Sequence, residues 1–106
     1  MSDEIIKIAY AMSRFDYHIL NDILNHQFNQ TSAYQYLEAK FNVKYTTQRN
    51  YRDAFDPYVK QEKSNRRGWW QKKLSPQFQA IKENYDKKGY ASIKNEIESI
   101  LNSTAL

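Results

Sequence analysis

Apolar side chains recur every three to four residues through nearly all of this chain, the period of helices that pack by one face. Ile5, Ile6, Ile8, Ala9 and Met12 mark a first helix over roughly residues 3–12. Ser13-Arg14-Phe15-Asp16 matches a capping box, with the Ser13 hydroxyl accepting from the Asp16 amide and the Asp16 carboxylate reaching back. A second helix is expected from there to about Asn25, on the face Ile19, Leu20, Ile23 and Leu24. Thr31 or Ser32 caps a third, with Ala33, Tyr36, Leu37 and Phe41, and Asn42 takes the left-handed conformation that closes it. The fourth starts at Thr46 or Thr47 with Tyr51 and Phe55 inward, and Pro57 stops it by pushing the preceding residue out of the helical region. Ser75-Pro76 starts a fifth, Ser as cap and Pro in the first turn, with Phe78, Ile81 and Tyr85 inward. Gly89 breaks it, and Ile93, Ile97, Ile100 and Leu101 make a sixth. Only 43–45 and 58–59 have room for extended structure. The expected fold is all-α: one domain over 1–106, a compact bundle of about five to six short helices. It contains a helix-turn-helix-like pair at about 32–56 and a basic Trp-containing loop.

That loop is the one stretch without a period. Residues 1–30 carry a net charge of −2, 31–56 +1, 57–75 +5 and 76–106 zero, so the excess positive charge lies in 57–75. A localised basic segment suits a polyanion, because each Lys or Arg set against a phosphate releases condensed counterions. It suits equally a solvated loop kept soluble by its lysines.

Catalytic chemistry has little to work with. Cysteine is absent, which removes disulfides, thiolate nucleophiles and cysteine zinc sites, and two glycines leave no phosphate-cradling loop. His18 and His26 stand eight apart, with no carboxylate pair at ligand spacing. Asp53 and Asp56, three apart, have Arg49 and Arg52 as neighbours and suit intrahelical ion pairs better than acid–base work. No catalytic residue, metal or cofactor is therefore expected. The start MSDEIIKIAYAM has acids where a secretory leader needs bases, and no apolar run approaches the ~18–20 residues of a membrane span, which points to a cytoplasmic protein without a membrane partner.

The stretch 33–55 is more informative. Ala33, Leu37, Phe41-Asn42-Val43, Thr46-Thr47 and Tyr51 follow the pattern of a helix-turn-helix: a packed first helix, a short turn with one buried apolar residue, and a polar-faced second helix. An apolar residue is usually wanted near position 48 to hold the second helix down, and Gln48 stands there instead. Thr47, Gln48, Arg49, Asn50 and Arg52 all carry donors for phosphates or base edges. Further along, Lys60, Lys63, Arg66, Arg67, Lys72 and Lys73 surround Trp69 and Trp70. The cations neutralise phosphates, and an indole either stacks on a splayed base or pins the loop to the helices. Trp69, beside Gly68, is expected inward and Trp70 exposed.

The run Asn50-Tyr51-Arg52-Asp53-Ala54-Phe55-Asp56-Pro57, followed by Arg66-Arg67-Gly68-Trp69 and Leu74-Ser75-Pro76, resembles the small helical domain at the N-terminus of many bacterial HNH-type endonucleases and related restriction proteins. Ser13-Arg14-Phe15-Asp16 and the Phe41-Asn42-Val43 turn extend the match over most of residues 5–101. The resemblance implies an accessory role in recognising or positioning nucleic acid rather than cleaving it. No His-rich metal-binding segment follows residue 101, so the chain would be an excised domain or a free-standing relative.

Two functions are therefore expected as alternatives. The first is a non-catalytic DNA-binding accessory domain of a restriction or phage-type HNH endonuclease. It would prefer double-stranded DNA, with Arg49, Arg52, Lys60, Lys63, Arg66, Arg67, Lys72 and Lys73 on phosphates, Thr47, Gln48 and Asn50 on base edges, and Trp70 within the surface. The second is a protein-binding inhibitor or adaptor acting on a defence nuclease, with Trp70, Tyr58 and Tyr90 as anchors. Both place the basic loop beside the fourth helix, Asp53 or Asp56 tying it there through Arg66, Arg67 or the amides after Pro57.

Overall fold

The computed structural model describes residues 3–59 and 73–103, and it is all-helical over both stretches. Six helices follow in order: α1 (Asp3–Phe15), α2 (His18–Leu24), α3 (Gln30–Phe41), α4 (Tyr45–Phe55), α5 (Pro76–Asp86) and α6 (Tyr90–Ser103). No strand forms among the described residues, the 43–45 and 58–59 stretches included.

α1 is the axis of the bundle. Its sequence suggested one apolar face, yet nine of its residues are buried, from Ile5 round to Phe15. A helix that is apolar on nearly every side belongs in the interior. α1 packs on α4, α5, α6 and α2, and most extensively on α4. Tyr10 sits at its centre, edge-on to Phe55 of α4 at 5.5 Å and to Tyr85 of α5 at 5.4 Å. Its hydroxyl donates to Asp86 Oδ1 at 2.6 Å, and burial first, then that carboxylate, push the phenol well above its ordinary range. Arg14 closes the same corner, its Nη1 donating to the carbonyls of Tyr85 at 3.2 Å and Lys88 at 2.9 Å, where α5 ends.

The helix ends separate local rules from tertiary ones. Asn25 and Asn42 take left-handed conformations at the ends of α2 and α3, and Ser75 accepts from the Phe78 amide with Pro76 in the first turn of α5. The expected capping box at Ser13 does not form. α1 continues to Phe15, Ser13 is fully buried inside it, and its hydroxyl donates to Asp56 Oδ1 at 2.6 Å. Asp16 instead ends α1 with φ 60°, and its carboxylate accepts from the Tyr17 amide at 2.8 Å. The cap of α3 falls at Asn29, ahead of Thr31 and Ser32, with Ser32 as the reciprocal partner: Asn29 Oδ1 accepts from the Ser32 amide at 2.8 Å and Ser32 Oγ from the Asn29 amide at 2.9 Å.

Candidate nucleic-acid interface

α3 and α4 are joined by Asn42, Val43 and Lys44, three residues outside both helices. Neither Thr46 nor Thr47 caps α4. The helix starts at Tyr45, whose amide donates to Glu38 Oε1 of α3 at 2.8 Å, so the preceding helix supplies the acceptor that the N-cap Lys44 lacks. A carboxylate there also suits the positive end of the helix dipole.

The two sides of α4 are sharply different. Gln48, Arg52 and Phe55 face inward, while Thr46, Arg49, Asn50 and Asp53 are exposed and lie on one stripe by their spacing, with Thr47 half-buried beside them. Two of the expected contact residues are thereby corrected. Gln48 is 4% exposed, and its Nε2 donates to the Val43 carbonyl at 2.8 Å. It occupies the place where an apolar residue was wanted and holds α4 to the turn by a hydrogen bond, so its amide does not face a base edge. Arg52 is 3% exposed, its Nη1 donating to the Tyr34 hydroxyl at 3.3 Å and its guanidinium lying 5.6 Å from the Tyr34 ring centre. Burial works against its charge, but Tyr34 and Asp53 outweigh that, and the guanidinium holds its proton more tightly than usual. Arg52 thus fastens α4 to α3 and is not presented to a phosphate.

Arg49 and Asn50 remain on the outward face. The Arg49 guanidinium lies 5.4 Å from the Tyr45 ring centre, which steadies a long side chain without neutralising it. Lys44 is exposed at the start of the same helix, a cation that the sequence reading passed over because it lay in the turn.

Of the segment 57–75, Pro57, Tyr58, Val59, Lys73, Leu74 and Ser75 are described. Lys60, Lys63, Arg66, Arg67, Trp69, Trp70 and Lys72 lie outside the described residues, as do the expected inward Trp69 and outward Trp70. Both ends of the segment are nevertheless placed. Val59 and Leu74 are buried in the common core. Asn50, Asp53 and Ala54 of α4 face Lys73, Leu74, Ser75 and Phe78 across a cleft of about 700 Å³. The exposed Lys73 therefore arrives beside the outward stripe of α4. Phe78 secures this side of the bundle, stacked on Phe55 at 5.1 Å and edge-on to Tyr51 at 5.4 Å.

Arg66 and Arg67, the expected loop partners of Asp53 and Asp56, lie outside the described residues, and within the described residues the two carboxylates make the following bonds. Asp56 accepts from Ser13, and Asp53 Oδ1 accepts from Arg52 Nε at 3.2 Å and Nη2 at 2.9 Å. Tyr58, with 36% of its surface exposed, is an outward aromatic at the start of the segment. Tyr90 is less suited to anchoring a partner, since its ring packs edge-on to Phe15 at 5.0 Å and its hydroxyl donates to Asp22.

Among the described residues no group of three or more His, Asp or Glu side chains stands where a metal ion could be held, and no helix is long and apolar enough to cross a membrane. No family model, curated protein or solved structure matches this chain.

Proposed function

We propose that the chain is a non-catalytic DNA-binding module that sets α4 and the basic segment 57–75 together against a duplex, as the accessory part of an HNH-type restriction or phage-type endonuclease. One observation carries the reading: Lys73, the last cation of the +5 segment, lines the same cleft as Asn50 and Asp53 of α4. Helix and segment then contribute to one positive face. The three-residue turn, the left-handed Asn42 and the polar outward stripe of α4 support a helix-turn-helix use of α3 and α4, with Thr46, Thr47 and Asn50 toward base edges and Lys44 and Arg49 toward phosphates. In the segment, Lys60, Lys63, Arg66, Arg67, Lys72 and Lys73 supply the remaining phosphate contacts, and Trp70 supplies a stacking face.

The test is the salt dependence of duplex binding. Each phosphate contact contributes a slope of about −0.9 in log affinity against log salt. Replacing Arg66 and Arg67 together by Ala should therefore reduce the slope by about 1.8. An unchanged slope removes both residues from the interface, and no duplex binding at all overturns the proposal. The exposed Tyr58 at the root of the segment favours the second reading, a protein-binding inhibitor or adaptor on a defence nuclease, and capture of a nuclease by a chain without DNA affinity is the result that would establish it.

A further inference from the structure

Asp53 is out of place on a surface that meets a polyanion. Its side chain is 52% exposed on the stripe that carries Thr46, Arg49 and Asn50, and a carboxylate there repels phosphates, which have no proton to donate. Nor is it free to swing aside. Oδ1 accepts two bonds from Arg52, which is itself buried and held by Tyr34. Among the described residues Oδ2 has no hydrogen-bond partner. A fixed group that can only accept has one kind of counterpart in the grooves of a duplex, an exocyclic amino group of a base.

The geometry points to Asp53 as a specificity-determining residue that accepts from cytosine N4 in the major groove. Adenine also offers an amino group, but its N7 lone pair lies beside it and would face the second carboxylate oxygen, whereas cytosine presents only C5–H there. Asp53 then subtracts from indiscriminate duplex affinity and adds preference at one base pair. Arg52 acts as its positioning residue. This inference rests on the DNA-binding reading of α4.

The test is selection from a randomised duplex pool by the wild-type chain, Asp53→Asn and Asp53→Ala. The Asn variant keeps an oxygen for Arg52 and should melt within a few degrees of wild type. Wild type should enrich cytosine at one position by about tenfold or more over the other bases. Asp53→Asn keeps its oxygen on Arg52 and turns Nδ2, a donor, outward where Oδ2 stood, so it should lose the cytosine preference and favour a base edge that accepts, such as guanine O6 or N7, and Asp53→Ala should flatten the preference. Both variants should bind unselected duplex at least as tightly as wild type. If the selected sequence is the same in all three chains, or if wild type binds duplex without sequence preference, Asp53 is only the partner of Arg52 and the inference fails while the DNA-binding reading stands. Absence of duplex binding by wild type removes both.

Discussion

Tyr10→Ala is expected to lower the stability of the fold by about 3–5 kcal/mol, the range for emptying a large aromatic from a packed core. The ring is fully buried and touches Phe55 and Tyr85 edge-on, so its loss uncouples α1 from α4 and α5 together. Domains of this size have about 5–15 kcal/mol in all, and the variant should be partly unfolded at physiological temperature. Tyr10→Phe keeps the ring and gives up the bond to Asp86, a group near the surface, for about 1 kcal/mol. Urea denaturation of the two variants checks both figures. A loss below about 1.5 kcal/mol for the alanine variant would mean that the ring is not the hub of the core.

The second large effect separates two arginines that sit three residues apart on α4. Arg52→Ala should cost about 2–4 kcal/mol, because it opens a void against Tyr34 and leaves the Tyr34 hydroxyl without this donor in the interior. Arg49→Ala should change stability by less than about 0.5 kcal/mol, since the side chain lies on the surface. In duplex binding the order reverses. Arg49→Ala should reduce the salt slope by about 0.9, whereas Arg52→Ala, under conditions where it remains folded, should leave the slope unchanged. Thermal melts and binding isotherms on the same preparations decide the matter, and equal stability of the two variants would contradict the inward placement of Arg52.

These arginines also show what the sequence could and could not reveal. The apolar period located the six helices of the described residues, and rules acting within one turn held at Asn42, Ser75 and Pro76, where cap and helix end are adjacent in the chain. Ser13 and Asp16 satisfied the same kind of rule, but Ser13 lies on the buried axis of α1 and meets Asp56, 43 residues away, so a long-range bond displaced a local one. The start of α4 was misplaced for a related reason. Its acceptor is Glu38, on the previous helix, and no pattern within α4 announces it. At the candidate site, residue type names groups able to donate and leaves their orientation open. Arg49 and Asn50 face out as expected, while Gln48 and Arg52 turn in, because a polar side chain can serve as an interior anchor once Val43 or Tyr34 supplies its partner. Asp53, read from sequence as half of an ion pair, does pair with Arg52, and its remaining oxygen becomes visible only when the outward face is known.

Backbone amide spectra recorded while a short duplex is titrated into the labelled chain test the shared positive face most directly. Shifts concentrated at Thr46, Arg49, Asn50, Asp53 and Lys73, on both sides of the α4–α5 cleft, are the predicted result. Shifts confined to α2 and α6, with α4 unmoved, would contradict it.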